Sequence, residues 1–495
     1  MNMLRKIYFA FFLLLLVTGA SSCKKWLTLK PSDGIIGEEF WQTKEQLASA
    51  VNGIYASLIG NPPGISDRSM AEYLFMWGEL RADMVTPSQG ASNYDIDIYN
   101  VNLLSTNTIV NWRGIYRTIN YCNTVIDLGP GVLKKDKTLT EEQLDAYLSE
   151  AYTIRALMYF YLARSFGDVP LKLQATTSDD QLQQLPKSKQ AEVLQQIVTD
   201  LKTAEPMAVL SYGSNDLNKG RVTKYTIYAL MADVYLWMDQ YDDCIAACDK
   251  VIQSGRYGLR TNRNFFYDIF IQGNSTESIF ELQFSKEALN PFYPMFATSK
   301  RRYQAADAVM EDIYTIDYVN ADSVDYRGDN ASVVSANNTI TKLIWNATQD
   351  ASYTHWIIYR YADILLLKAE ALNQAGRGAE ALKIVYDIRS RGHALPATDR
   401  NPGASDTDLI TDFILDERAR ELAFEGKRWY DLLRNAKRNN YKRLDILLNM
   451  VVNATPPERQ QSAMNKYKDF NSHYFPVYFY ELNTDKNLEQ NPFYQ

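Results

Sequence analysis

Apolar residues recur with a helical period through most of this chain, and two segments carry the same pattern in the same register. In YALMADVYLWMDQYDDCIAACDKVIQSG, residues 228–255, Ala232, Tyr235, Tyr241, Cys244, Cys248 and Val251 fall at the packing positions of two helices joined by a tight turn. LLLKAEALNQAGRGAEALKIVYDIRSRG, residues 365–392, repeats the spacing with Ala369, Leu372, Gly378, Ala381, Val385 and Ile388. Small side chains at 232/369 and 244/381 let two helices approach closely, and larger apolar ones fill the seam. The pattern predicts two weaker pairs, 142–166 with 191–204 and 47–58 with 108–126. Residues 59–107, 255–356 and 393–412 lack the period and read as long loops, which inside a compact protein are uncommon and usually functional.

The shared register is that of a tetratricopeptide-type helix–turn–helix repeat. One such unit cannot bury its apolar face alone, so about four helix pairs are expected to stack into one scaffold. The predicted fold class is therefore mainly α. A single body would span 23–495: a tether over 23–40, a scaffold over 43–392 interrupted by the insertions 59–107 and 255–356, and a C-terminal segment over 393–495.

The N-terminus changes the picture of where this body works. Arg5 and Lys6 precede an apolar run from Ile7 to Val17, and Gly19, Ala20, Ser21 and Ser22 are small. The run is shorter than the roughly 20 residues that span a bilayer as a helix and matches the apolar region of an export signal. The small residues stop at Cys23, the arrangement of a bacterial lipoprotein signal. Cleavage before Cys23 and acylation of that residue would anchor the chain, since more than one acyl chain gives stable membrane attachment. TrpLeuThrLeuLysPro, 26–31, then reads as an extended tether.

Charge and composition exclude several functions. The formal net charge is −7, unlike the basic surface that nucleic acid needs. Beyond Cys23 only Cys122, Cys244 and Cys248 remain, which is no disulfide framework. Cys244 and Cys248 coincide with repeat packing positions, and His355, His393 and His473 show no metal-ligand spacing. No phosphate-binding loop or nucleophile elbow occurs, and no cofactor is expected. In ERARELAFEGKRWYDLLR the carboxylates Glu417, Glu421 and Glu425 share one helix with Arg418, Arg420 and Arg428. That is the geometry of intrahelical ion pairing rather than of two carboxylates facing across a cleft.

Binding chemistry is expected of the loop aromatics. The chain holds 34 Tyr, 8 Trp and 20 Phe, and the flat C–H faces of sugar rings stack on such side chains while amides and charged groups take the hydroxyls. The candidate ligand contacts are Asn93, Tyr94, Asp95 and Tyr99 in SQGASNYDIDIYNVN, and Asn290, Phe292, Tyr293, Phe296 and Arg301 in KEALNPFYPMFATSKRRY. Trp345 in KLIWNATQ joins them. Two rival readings are a surface glycan hydrolase or lyase, with Asp95, Asp97 or Glu287 as its only loop carboxylates, and a helical adaptor for protein partners.

Six motifs in order carry a resemblance across nearly the whole chain. They are CKKWLTLKPSDGIIGEEFWQTKEQLASAVNGIY, NWRGIYRTINYCNTVID, RALMYFYLARSFGDVPL, YRYADILLLKAEALNQAG, ERARELAFEGKRWYDLLR and the terminal FPVYFYELNTDKNLEQNPFYQ. Together they resemble the SusD/RagB family, surface lipoproteins that capture nutrients at the Bacteroidetes outer membrane. The resemblance implies a non-enzymatic, lipid-anchored binding protein. Its ligand would be an oligosaccharide or, less commonly, a peptide, held on the loop face and passed to a SusC-like TonB-dependent transporter. It also implies that the Glu417–Arg428 motif is a scaffold element. Lys24 and Lys25 stand where the family often has acidic residues linked to surface display, and Asp485 and Phe493 stand where Asn and Gly are common.

Overall fold

A computed structural model describes residues 40–60, 68–261, 264–297, 299–315, 324–345, 347–394 and 401–495, with isolated positions in the leader. The expectations for Cys23, for nearly all of the leader and for the tether up to residue 39 fall outside the described residues.

The longer helices are α1 (Lys44–Ile59), α2 (Met70–Glu79), α3 (Asn93–Tyr99), α4 (Arg113–Lys135), α5 (Glu141–Phe166), α6 (Gln190–Met207), α7 (Lys224–Trp237) and α8 (Tyr241–Ile252). After the large insertion come α9 (Tyr361–Gln374), α10 (Gly378–Gly392), α11 (Thr407–Glu421), α12 (Arg428–Tyr441), α13 (Asp445–Ala454) and α14 (Pro457–Tyr467). Local sequence explains several starts. Thr43 with Gln46 and Thr140 with Gln143 form capping boxes at α1 and α5, satisfying amides that have no partner inside the helix.

The four expected helix pairs are present: α1 with α4, α5 with α6, α7 with α8 and α9 with α10. They stack in that order, α4 on α5, α6 on α7, and α8 on α9. The repeat positions are where the register put them: Ala232, Cys244, Cys248, Val251, Ala369, Ala381, Val385 and Ile388 are all fully buried. Cys244 and Cys248 are thus core thiols. From Thr153 onward α5 is buried on every side, as befits a helix enclosed by neighbours. Buried ion pairs reinforce the stack both between pairs, as Arg164 on α5 does with Asp233 on α7 at 3.1 Å, and within them. Arg155 on α5 grips Asp200 on α6 through Nε at 2.8 Å and Nη2 at 2.7 Å.

Three departures from the expected loops matter. Within 59–107, α2 is a core helix with every residue but Glu72 buried, and Asn93–Tyr99 is helical. Within 393–412, α11 begins at Thr407. The insertion 255–356 does lack long elements, but it is organised by two-stranded antiparallel ladders among the described residues. β1 (Val85–Pro87) pairs with Tyr303–Ala305, and outside the insertion β2 (Val169–Pro170) pairs with β3 (Lys187–Ser188). β4 (Ser278–Leu282) pairs with Trp356–Arg360, and Val333–Val334 with Thr339–Ile340. Taking Tyr303–Ala305 as β5, Val333–Val334 as β6, Thr339–Ile340 as β7 and Trp356–Arg360 as β8, the β4–β8 ladder ties the insertion to the start of α9.

His473 is wholly buried: its Nε2 donates to the Tyr467 carbonyl at 2.9 Å and its Nδ1 accepts from the Tyr441 hydroxyl at 3.0 Å. Burial pushes its pKa down to about 4. The unfolded chain takes up this proton near pH 6.5, whereas the folded one resists until about pH 4. Stability is therefore lost as pH falls between those values and is flat below them, by about 3 kcal/mol for this group. A His473→Gln variant is expected to lose this limb of the pH–stability curve in thermal melts between pH 7 and 4.

Candidate functional site

The expected ligand residues divide sharply. Phe292 and Phe296 are 0% exposed and belong to an aromatic core with Phe75, Tyr303 and Trp356; Phe75 meets Phe296 at 5.1 Å and Phe292 meets Trp356 at 5.3 Å between ring centroids. Asp95 is likewise fully buried, accepting from Arg302 Nη2 at 2.8 Å, the Tyr303 hydroxyl at 2.5 Å and Ser92 N at 2.7 Å. Burial works to raise its pKa, but Arg302 and these donors outweigh it and leave the carboxylate below its ordinary value. Asn290 is buried too and staples the chain, accepting from Ser352 Oγ at 2.6 Å and donating to the Thr354 carbonyl at 2.9 Å. These four are corrections. Their neighbours in sequence looked like loop residues because nothing local reveals that α2 and β8 close over them.

Of the others, Arg301 is tied to Thr339 Oγ1 at 2.6 Å and the Asn337 carbonyl at 2.5 Å, and the half-buried Tyr99 donates to the Ala454 carbonyl. Both hold loops together. Asn93 and Tyr94 face solvent on α3, and Tyr293 is half-buried. Asp97 and Glu287 line none of the cavities described here, Glu287 accepting from the hydroxyl of its neighbour Ser285.

Trp345 is different. It lines a cavity of about 670 Å³ together with Asn264, Phe266, Tyr267, Tyr326, Asp329 and Asn330, a size within the usual range for small-molecule sites. Three exposed or half-buried rings, Tyr267, Tyr326 and Trp345, reach it from three separate segments. Tyr267 begins a π-helical turn, Tyr267–Ile271, closed by Gln272 N donating to the Tyr267 carbonyl at 3.2 Å. Tyr267 and Ile271 both line the cavity, and wider π-type turns of this kind occur often at functional sites. Tyr326 is held by its backbone N–H, which donates to the Gly392 carbonyl at 2.9 Å. Its ring stacks on His393, with centroids 4.8 Å apart and planes 6° apart. His393 adopts a left-handed conformation, φ +55°, as it ends α10.

The floor is a satellite cluster of Phe265, Phe266, Ile269, Phe270, Ala331 and Ile357, distinct from the main core. Alternation along β8 supplies the join: Ile357 packs into the satellite while Trp356 and Ile358 pack into the main core. Beneath this floor lies the Glu417–Arg428 motif. Lys342 Nζ sits 4.5 Å from the Phe270 ring centroid and Arg391 Cζ 4.5 Å from that of Phe265. Their charges are met by α11 and its neighbours: Lys342 by Glu425 at 2.6 Å, Arg391 by Glu277 at 3.1 Å and by Glu421. Arg360 bridges Glu277, Glu421 and Glu425, and Arg327 bridges Asp325, Glu417 and Glu421. Burial alone would raise the carboxyl pKa values, but the guanidinium groups prevail and hold Glu417 down to about 2, with Glu421 and Glu425 also lowered. The three glutamates are buried and held ionised, but the expected intrahelical pairing reduces to Arg420 with Glu417 at 2.9 Å: α11 ends at Glu421, and the other cations reach the carboxylates from separate segments.

A second hollow of about 410 Å³ opens beside α4, lined by Trp112, Arg113, Tyr116, Arg117, Tyr480, Glu481 and Thr484. Among the described residues no cluster of three or more His, Cys, Asp or Glu side chains could hold a metal ion, and no helix is long and apolar enough to cross a membrane. Sequence reasoning missed Tyr267 and Tyr326; the runs FFYDIF and DYRGDN within the 255–356 insertion are their only local signal.

Comparison with known proteins agrees with this architecture. Residues 257–494 match the SusD family model, and residues 25–236 match a SusD-like family described as starch-binding and associating with the outer membrane. SusD-like protein P38 of Formosa agariphila is 28% identical over 490 residues, covering 88% of this chain and 93% of that protein. SusD-like protein P2 of the same organism is 27% identical over 472 residues, covering 85% and 89%. The crystal structure of a SusD superfamily protein from Bacteroides vulgatus superposes with a TM-score of 0.73 at 20% identity, covering 92% of this chain and 100% of the other. One from Bacteroides thetaiotaomicron gives 0.71 at 21%, covering 92% and 99%. A stack of four helix pairs, a loop-borne aromatic cavity and matches along both halves of the sequence make this chain a member of the SusD/RagB family.

Proposed function

We propose that this protein is a lipid-anchored outer-membrane binding protein that captures an oligosaccharide and delivers it, chemically intact, to a SusC-like TonB-dependent transporter. Cys23 would carry the lipid and the folded body would stand at the external surface. The observation that carries the binding reading is the 670 Å³ cavity in which Tyr267, Tyr326 and Trp345 converge beside Asn264, Asp329 and Asn330. Rings of this kind offer faces for pyranose C–H groups, and the amides and carboxylate offer partners for hydroxyls. Support against hydrolysis comes from the carboxylates: Asp95 is locked to Arg302 in the core, and the Glu417, Glu421 and Glu425 side chains are committed to cations below the floor.

Titration of the soluble body against a glycan panel tests this. Reversible binding is expected, with no new reducing ends on prolonged incubation; product accumulating with time would overturn the binding-only reading. Trp345→Ala and Tyr267→Ala should each weaken the best glycan's Kd roughly tenfold, about 1.4 kcal/mol, with thermal melting nearly unchanged. Unchanged affinity in both variants would move the site elsewhere, with the hollow beside Trp112 the next place to mutate.

A further inference from the structure

We infer that the cavity selects by charge: it accepts a neutral oligosaccharide, tolerates an amine-bearing one, and rejects sugars carrying carboxylate or sulfate. This deepens the binding reading above and rests on it for the ligand, though not for the electrostatics. Among the described lining residues the charged side chains are Asp325 and Asp329, and none is cationic. Asp325 is neutralised from behind by Arg327, whose Nε and Nη2 reach its two oxygens at 2.9 and 2.7 Å. Asp329 has no such partner among the described residues. Its Oδ1 accepts from Ser335 N at 2.8 Å and its Oδ2 from Asn330 Nδ2 at 3.0 Å, both uncharged donors.

The described cations beneath the floor do not offset it. Lys342, Arg360, Arg391 and Arg327 lie under the aromatic floor with side chains at most 2% exposed. Each is already bound to Glu277, Glu417, Glu421, Glu425 or Asp325, so none presents a donor to the cavity. The faces of Tyr267, Tyr326 and Trp345 carry the negative side of the ring quadrupole. An anionic group entering this space would leave water, meet Asp329 and a ring face, and find no described cation. Recognition of sulfate or carboxylate ordinarily relies on Arg or Lys forks.

Two measurements separate the charge assignment from the binding reading. The first needs no ligand. The fluorescence of Trp345, isolated as the difference between the wild-type body and Trp345→Phe, is quenched with caesium, iodide and acrylamide at low ionic strength. Relative to free N-acetyltryptophanamide, caesium is expected to be favoured over iodide by at least twofold, and Asp329→Asn should bring the ratio toward parity. Iodide quenching as well as caesium would overturn the charge assignment. The second titrates maltoheptaose, xylo-oligosaccharides and galacto-oligosaccharides against their sulfated derivatives, and chito-oligosaccharides before and after deacetylation. The expected result is at least tenfold weaker binding of every sulfated form than of its parent, with the deacetylated sugar bound no more weakly than the acetylated one. A sulfated sugar that bound more tightly than its parent would overturn the selection while leaving glycan capture intact. Failure of every sugar to bind, with the caesium preference retained, would instead sink the binding reading and uphold the charge assignment.

Discussion

Glu421→Gln is expected to destabilise the body by about 3–5 kcal/mol, lowering the melting temperature by roughly 3–5 °C for a body of this size. The carboxylate is 3% exposed and receives Arg327 Nη1 at 2.8 Å, Arg360 Nη1 at 2.5 Å and Arg391. Removing it leaves three guanidinium groups below the cavity floor with a deficit of negative charge, and an unpaired buried charge costs far more than the intact pair contributes. Acid should reproduce part of the effect. Glu417 has its folded pKa held at about 2 and Glu421 is also depressed, against an unfolded value near 4.5. Stability from these groups is complete above pH 4.5 and is lost as pH falls toward 2. That window lies below the one assigned to His473, so melts of the wild type, Glu421→Gln and His473→Gln across pH 7 to 3 should show two separable limbs. A Glu421→Gln melt within 1 °C of wild type would contradict the network's role.

Gly78→Ala should be comparably severe, with a loss of at least about 2–3 kcal/mol, although it exchanges a poor helix former for the best one in the last turn of α2. The propensity gain of about 1 kcal/mol is overridden by geometry. A Cβ on Gly78 would land inside the backbone carbonyl of Gly426, and its other nearest atom, the Gly426 Cα, is 2.8 Å away. Gly426 cannot yield: it sits at φ +72° with the Leu74 carbonyl and the Trp356 ring on its own open side. The same contact lets Glu79 Oε1 accept from Gly426 N at 2.7 Å and Lys427 N at 3.2 Å, capping α12 from a distant helix. Forcing α2 away would break this cap as well. Melting of Gly78→Ala against the control Gly53→Ala, where nothing lies within 4 Å of the added methyl, is the decisive comparison. A gain in stability at position 78 would contradict the close approach.

The four helix pairs were legible because each depends on a local regularity. Small residues such as Ala232 and Ala369 recur at helical spacing, and in the α7–α8 and α9–α10 pairs a short turn joins the two helices, whereas α1 and α4 meet across the 59–107 insertion. The fold family was legible for a related reason, since motifs such as RALMYFYLARSFGDVPL combine core, cap and turn residues that act within one short segment. That Glu417, Glu421 and Glu425 pair with cations was readable, but their partners were not: Glu417 meets Arg420 on its own helix, whereas Arg327, Arg360, Arg391 and Lys342 come from other segments.

The site was legible only in part. Trp345, one of the candidates, does line a cavity, but Asp95, Asn290, Phe292 and Phe296 were assigned to the surface from their place in apparently irregular chain. Their burial is decided by partners remote in sequence: Arg302 for Asp95, and Phe75 and Trp356 for the two phenylalanines. Helical periodicity and motif order, properties of neighbouring residues, thus determined the scaffold, the family and the expected lipid anchor. Which aromatic rings face a cavity, which glutamates lie beneath it and why Gly78 admits no methyl were decided only in three dimensions. Those properties depend on contacts between segments tens to hundreds of residues apart, whose long-range packing leaves no periodic trace in the chain.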